Sequence, residues 1–435
     1  MRNHTLAVPP YQRSAPALAA LALALVSACG ANPPTPPGPL AAAGQEALVL
    51  RTSRVFDGRG GVLQDQDIVV RDGRIAGIGP RGTGGERVLD LTGLTVLPGY
   101  IDTHVHIGHH FDENGKLHAA EDQGDVGHLT LYGAENAYRT LMAGVTTLQS
   151  LGGEEDAAIR AWIERGAIPG PRILSSLGEV RAETGTPDAI RAFVRGRKAA
   201  GADVVKVFAS TSVRLGGVTN LSAEQLSAAC GEATALGLRS IVHAHRPDAI
   251  QMAADAGCSQ IEHAWLADRA AIEVVAKRGM YLGNQIDVLF RNYAENGPRF
   301  DGVDGFTLAG LANLQDARAG AVRVFRQSLE VPGLKMVFNT DANAGGHGKN
   351  AEEIVANVEQ GGQRPMDAVI AATSRAAESL GLAGRIGAIA QGMEADIIAL
   401  DGDPQTDAAS FRRVAFVMRA GRVYRHEPPS ETRAR

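Results

Sequence analysis

Val96-Leu97-Pro98-Gly99-Tyr100-Ile101-Asp102-Thr103-His104-Val105-His106 is the stretch from which the rest of the chain can be read. An apolar run enters from a loop and ends in two histidines separated by one residue. In an extended strand successive side chains alternate faces, so His104 and His106 share one. Two imidazoles on one face at a strand end can chelate a single metal ion. That reading requires further ligands at the ends of later strands.

The later strands are legible. Val145-Thr146-Thr147-Leu148, Arg172-Ile173-Leu174-Ser175, Val204-Val205-Lys206-Val207-Phe208, Ser240-Ile241-Val242-His243, Gln260-Ile261-Glu262-His263, Met280-Tyr281-Leu282-Gly283 and Met336-Val337-Phe338-Asn339-Thr340 are short apolar runs. Helical segments separate them. Thr186-Pro187 opens one helix, with proline in its first turn, and Gly201 closes it. Ser222 and Gln225 have capping-box spacing, and Gly237 follows that helix. Together with the run before His104 these strands predict an α/β fold, a (β/α)8 TIM barrel over 99–385. Such barrels carry their chemistry at the C-terminal ends of the strands.

Both flanks have a different texture. Ile68-Val69-Val70, the Asp72-Gly73 pair and Ile75-Ala76-Gly77-Ile78 predict a hairpin. Ala395-Asp396-Ile397-Ile398-Ala399-Leu400, Val414–Met418 and Ala420–Tyr424 read as strands at the far end. Segments 46–98 and 386–428 are therefore expected to build one small β-sandwich domain from both chain ends, leaving 429–435 as a tail.

At the strand ends the chemistry accumulates. His243 and His263 close the fifth and sixth strands, Asp341 follows the eighth, and Lys206 lies among valines in the fourth. A lysine there is costly unless it is neutralised or paired, for example with Asp203. With these positions in hand, the chain resembles the metal-dependent amidohydrolase superfamily. The resemblance rests on Asp102–His106, the Gly201–Phe208 lysine strand, Val242-His243-Ala244-His245, Ile261-Glu262-His263, Asn339-Thr340-Asp341, and the segment Ala383–Gly387 through Gly392–Asp396. Within it, the wording at Gly152-Gly153, Gly170–Leu174 and Gly257–His263 is most like the prolidase- and imidazolonepropionase-like branch, which includes dipeptidases and carboxypeptidases.

The resemblance implies a site with two divalent metal ions, zinc by the chemistry of its ligands. His104, His106 and Asp341 would hold one ion and His243 and His263 the other. Lys206, carrying a carbamate, would bridge them. A metal-bridging hydroxide would attack, and Asp341 would pass its proton to the leaving group. His245 would contact the oxyanion or the substrate. The implied reaction is cleavage of an amide bond in a small-molecule substrate, an N-acyl amino acid or a dipeptide. The same site would serve a cyclic amide, a lactone or a phosphoester. From another class, a non-catalytic binding lipoprotein could use the barrel mouth as a pocket.

Two loops are expected to shape the pocket. Residues 108–128 carry His109, His110, His118 and His128, expected at the surface. Residues 285–306 carry Asp287, Arg291, Tyr293 and Arg299, and form a candidate lid in which Arg291 or Arg299 could meet a substrate carboxylate. After Asp341, His347 lies in a glycine-rich turn.

Composition narrows the rest. The chain has 435 residues, Lys+Arg 43 against Asp+Glu 48, and a net charge of −5. No basic run interleaved with aromatics suggests nucleic acid. Cys230 and Cys258 read as buried free thiols. Arg2 and Arg13 precede an apolar run from Ala15 to Val26, too short for an ordinary membrane span and suited to a signal peptide over 1–28. Val26-Ser27-Ala28-Cys29 resembles a bacterial lipobox, which implies cleavage before Cys29, lipid on its thiol and a membrane anchor. Gly30 after the cysteine fits outer-membrane retention, facing the periplasm. Without lipid on Cys29 the protein would be periplasmic or secreted. Residues 29–45, with Asn32-Pro33-Pro34-Thr35-Pro36-Pro37-Gly38-Pro39, read as a stiff tether. A homo-oligomer is compatible with all of this.

Overall fold

The computed structural model describes residues 47–82, 87–118, 126–302 and 306–430. The signal peptide, Cys29 and the tether lie outside the described residues. Among the described residues no helix is long and apolar enough to cross a membrane.

The flanking segments make two sheets. Strands Gln66–Arg71 and Arg74–Pro80 are joined by Asp72-Gly73, both at positive φ (51° and 74°), as a tight two-residue hairpin requires. They form one sheet with Leu48–Arg51 and Arg87–Asp90. In the second sheet the order is Arg422–His426, Val414–Arg419, Ile397–Leu400, Thr95–Pro98, Arg54–Phe56 and Val62–Gln64. Its middle pairing is antiparallel, with Ile397 opposite Pro98 and Leu400 opposite Thr95, and this stitches the far end of the chain to the near end. Leu50, Ile68, Ile75, Val96, Ile397, Phe416 and Met418 are buried together between the sheets.

The barrel strands are β1 (Tyr100–Val105), β2 (Val145–Ser150), β3 (Arg172–Ser175), β4 (Val204–Phe208), β5 (Arg239–Ala244), β6 (Gln260–His263), β7 (Tyr281–Gly283) and β8 (Lys335–Val337). β1 to β3 pair in parallel, as do β4 to β8. Backbone bonds join the two groups. Asp203 N donates to Ser175 O (2.8 Å) on one side. On the other, Thr103 N donates to Phe338 O (3.1 Å) and Asp341 N to His104 O (2.8 Å). The predicted eighth strand thus stops its regular pairing at Val337, and Phe338–Asp341 runs on along β1. Helices cover the outside, so β1, β2 and β6 are buried along their whole length.

The predicted caps are present. Thr186 accepts from Ala189 N, and Ser222 and Gln225 form a reciprocal capping box. Arg172 of β3 pairs with Glu394 (2.5 Å) and Asp396 (2.8 Å), tying barrel to β-sandwich through the Glu394-Ala395-Asp396 segment.

One expectation is overturned. Cys230 and Cys258 are not free thiols; they form a disulfide across 28 residues of sequence. Cys230 lies on the buried face of helix Ala223–Ala235, and Cys258 in the turn entering β6. Packing of that helix beside helix Pro247–Asp255 brings the two thiols together, and no local pattern announces it.

Candidate metal centre

All six predicted ligands converge at the C-terminal mouth of the barrel. His104 is 1 % exposed and Lys206 equally enclosed. His104 Nε2 lies 3.3 Å from His106 Nε2 and 3.3 Å from Asp341 Oδ1, and His106 Nε2 lies 3.1 Å from that same oxygen. Lys206 Nζ is 3.5 Å from His104 Nε2. Ligand atoms of His104, His263 and Asp341 all lie within 4.8 Å of one another. The rings of His243 and His263 are 4.5 Å apart, and His104 and His263 are 5.4 Å apart. The two predicted ligand groups are therefore one continuous cluster.

The hydrogen bonds fix which nitrogen faces inward. His104 Nδ1 donates to Glu262 Oε2 (2.8 Å) and His263 Nδ1 to Gln285 Oε1 (2.9 Å), which leaves both Nε2 lone pairs toward the cluster. His243 is turned the other way: its Nε2 meets Thr211 O at 3.3 Å, leaving Nδ1 inward. Burial pushes the imidazoles of His104, His243 and His263 below their ordinary range. Asp341 stays ionised: burial alone would raise its carboxyl, but His104 and His106 beside it hold it far below the usual carboxylate range. Imidazole lone pairs and a carboxylate oxygen at 3.1–3.3 Å repel unless a cation lies among them. The donor set fits a divalent metal ion on that ground.

Lys206 is pushed down by burial. Asp203, the alternative partner for Lys206, bonds Arg160 (2.6 Å) and the Ser175 amide (2.9 Å). His245 sits just past β5, edge-on to His243 at 4.6 Å and stacked 5.2 Å from His263. Burial takes its imidazole down to about 3.

Backbone strain accompanies the cluster. His263 (φ 72°), Ala264 (φ 54°) and Asp341 (φ 52°) adopt left-handed conformations disfavoured for residues with a Cβ. Such outliers persist only where the surroundings over-determine them. At Asp341 they do: Asp102 accepts from Thr340 N (3.1 Å), Thr340 Oγ1 (2.6 Å), Asn350 Nδ2 (2.8 Å) and His104 N (3.2 Å).

Sequence reasoning missed these supporting acids. Asp102 stands two residues before His104 and Glu262 directly before His263, and both are fully buried. Glu262 also receives Gln260 Nε2 (2.5 Å) and Asn339 Nδ2. Gly283 ends β7 beside them, and a Cβ there would lie 2.1 Å from Asn339 Nδ2 and 2.8 Å from Glu262 Oε2.

The loops differ from expectation. His109 stacks on His106 (4.6 Å) and His110 is buried against Tyr132 (3.9 Å), so neither is a plain surface residue. His118 bonds Asp112 (3.2 Å), and His128 is exposed. His347 Nε2 donates to His106 O (3.1 Å). Arg291 pairs with Asp287 (2.9 Å) and Glu352, and Arg299 donates to Gly115 O (3.0 Å) while covering Phe111 (3.7 Å). Both guanidiniums proposed for a substrate carboxylate are thus committed elsewhere. The helix Val288–Asn296 that carries Arg291 roofs the mouth. Its N-terminus is held by the buried Glu353 carboxylate, which accepts from Ile286 N (2.6 Å) and Val288 N (2.7 Å).

Residues 95–424 match the amidohydrolase family, and the chain belongs to that family. It is a hydrolase acting on carbon–nitrogen bonds. Ochratoxinase from Aspergillus niger is 26 % identical over 431 residues, spanning 87 % of each chain. The crystal structure of a Xaa-Pro dipeptidase with methionine bound in its active site superposes with a TM-score of 0.77 at 25 % identity, over 87 % of this chain and 100 % of that one. The Aspergillus niger ochratoxinase structure superposes with a TM-score of 0.75 at 21 % identity, over 88 % of this chain and 96 % of the other.

Proposed function

We propose that this protein cleaves the amide bond of an N-acyl amino acid or dipeptide in the cell envelope. The observation that carries the reading is the convergence of His104 Nε2, His106 Nε2 and Asp341 Oδ1 within 3.1–3.3 Å, with His104 Nδ1 already committed to Glu262. His104, His106 and Asp341 would hold one divalent ion, His243 and His263 a second, and a carbamate on Lys206 would join them. Zinc suits imidazole and carboxylate donors. When bound, the ions would supply an acidified water and polarise the scissile carbonyl.

The chain's own groups do the remaining work. A neutral lysine amine is what reacts with carbon dioxide, and burial favours the neutral form of Lys206. Asp341 takes a proton from the attacking water and delivers it to the departing nitrogen. Its strained turn and the Asp102 bonds hold the carboxylate in place. Neutral His245 is placed to donate to the oxyanion that develops on the carbonyl. The named substrates of the relatives, an ochratoxin and Xaa-Pro dipeptides, both suggest an amide as the bond cut.

The envelope location is supported by the lipobox-like segment before Cys29 and by the Cys230–Cys258 disulfide, since structural disulfides belong to oxidising compartments. Metal content and hydrolysis measured together test the function. The expected result is about two ions per chain and amide cleavage abolished by a chelator. No metal and no cleavage after metal reconstitution would return the protein to the class of binding lipoproteins.

A further inference from the structure

We propose that Glu262, acting through Gln285, is a single positioning acid for both halves of the metal centre: it sets which nitrogen His104 and His263 turn into the cluster. The proposal rests on the metal-centre reading and concerns residues that would hold no ion themselves.

β6 brings the parts together. Gln260 and Glu262 are two residues apart on that strand and share a face. In a regular strand His263 would face the other way. Its φ of 72° breaks the alternation, so that two neighbouring residues both serve the cluster. Glu262 stands opposite Gly283 of β7, and the glycine leaves the carboxylate its room: a Cβ there would lie 2.8 Å from Oε2. The carboxylate is fully buried among donors from β1, β6 and the segments that follow β7 and β8. His104 Nδ1 (2.8 Å), Gln285 Nε2 (3.4 Å) and Asn339 Nδ2 donate to Oε2, and Gln260 Nε2 (2.5 Å) donates to Oε1.

Three side-chain amides therefore turn their NH2 groups to one acid. For two of them this has a cost. Gln260 Oε1 and Asn339 Oδ1 are left buried without a hydrogen-bond partner among the described residues. The acid, not the amides' own surroundings, thus dictates how they point. Gln285 is turned the same way, but its oxygen is used: Oε1 accepts from His263 Nδ1 at 2.9 Å. Trp265 Nε1 holds the backbone carbonyl of Gln285 at 3.0 Å. An amide offers donors at one end and an acceptor at the other. With its NH2 committed to Glu262, Gln285 presents only oxygen to His263. Nδ1 of His263 must then carry the proton, which leaves the Nε2 lone pair toward the cluster. The chain His104–Glu262–Gln285–His263 joins an imidazole from one ion's group to an imidazole from the other's. Without the acid, Gln285 is free to turn over and offer NH2 to Nδ1. The proton then moves to Nε2, and that lone pair is lost to a metal.

The test has two readouts at fixed pH. Nitrogen NMR of histidine-labelled, metal-free protein reads the tautomers, and zinc titration against a competing chelator reads affinity. In the wild type His104 and His263 should both carry the proton on Nδ1, and about two zinc ions should bind. Glu262→Met should move the His263 proton to Nε2 and weaken both zinc-binding steps by about 100-fold. Gln285→Met leaves Glu262 its bonds from His104 and Asn339. It should move the same proton, weaken one step by about 100-fold and spare the other. The double variant should bind zinc no more weakly than Glu262→Met alone. Glu262→Gln should recover most of the loss, because its oxygen can stay toward His104 and Gln285 while its NH2 meets the Gln260 oxygen. A His263 proton that stays on Nδ1 in either Met variant would overturn the relay, and Gln285→Met decides this alone if Glu262→Met does not fold. Additive losses in the double variant would make the two residues independent supports and also overturn it. So would a Glu262→Gln variant as impaired as Glu262→Met, since charge alone would then explain the effect. A wild type that binds no zinc would refute the metal-centre reading, while the tautomers, read without metal, still decide the relay.

Discussion

His104 and Asp341 share one physical problem: each is a polar side chain in an enclosed space, held by a neighbour that the motif itself does not advertise. Glu262 sets the tautomer of His104, and Asp102 ties the Asp341 turn to β1. Asp341→Asn keeps the size of the side chain but removes its capacity to carry a proton. We expect the variant to fold and to lose turnover by about 1,000-fold, read as kcat; retained turnover would refute the proton-carrying role. Lys206→Ala should bind less metal by elemental analysis, with partial rescue of activity by short carboxylic acids. If that variant holds two ions as tightly as the wild type, the bridging role is wrong. The positions that converge at the mouth could be picked out because His104, His106, His243, His263 and Asp341 stand at or just past strand ends and Lys206 is a lone cation among valines inside β4. Glu262, Asp102 and Gln285 carried no pattern of their own, since a hydrogen bond to a ligand's far nitrogen depends on where β6 and β7 lie beside β1.

Between residues and the whole chain, the roof helix and the disulfide decide how rigid the mouth is. The Val288–Asn296 helix starts on the Glu353 carboxylate, contributed from a helix 65 residues further along the chain. Burial raises that carboxyl to about 7. Glu353→Gln leaves backbone N–H groups with poorer acceptors, and we expect a loss of about 2 kcal/mol of stability in chemical denaturation. KM should rise too, because Phe290 of this helix packs on Trp265 (4.6 Å), which lies against His263 (4.9 Å). An unchanged midpoint and KM would show that the roof is held by Asn292 and Asn343 instead. The Cys230–Cys258 link closes a loop of 28 residues, which by the loss of chain entropy in the unfolded state contributes about 3.6 kcal/mol. Cys230→Ser/Cys258→Ser should therefore lower the melting temperature, and a reductant should lower that of the wild type but not of the double variant. Hairpins and caps at this scale were readable from Asp72-Gly73, Thr186-Pro187 and Ser222, because turn and cap chemistry is local. The disulfide was not, because Cys230 on a helix meets Cys258 in a separate turn only once two helices pack side by side.

For the whole molecule, stability should respond to pH through Asp156. This carboxyl is fully buried, bonded by Ser175 Oγ at 2.7 Å, and raised by burial and by Glu155 to about 7. A carboxyl raised above its unfolded value contributes stability that is complete below about pH 4 and is lost as pH rises through about 7. Asp156→Asn should remove that decline, on the order of 2 kcal/mol, in denaturation curves compared at pH 5 and pH 8. Equal slopes in both proteins would place the pH dependence elsewhere. The anchor is tested on intact cells: radiolabelled palmitate on the wild type should be absent from Cys29→Ser, and retained label would overturn the lipidation.

What the amino-acid order determined by itself was the alternation of buried strands and capped helices, the closing of the flanks into a sheet domain, and which residue types stand at each strand end. These follow from periodicity and local chemistry, which act over a few neighbouring residues. Folding in three dimensions decided the rest: the inward nitrogen of each histidine, the commitment of Arg291 and Arg299 to other partners, the Cys230–Cys258 bond, and the meeting of Glu262 with Gln285. Each of these depends on contacts between segments tens to hundreds of residues apart, and closure of the barrel is what brings such segments within hydrogen-bonding distance.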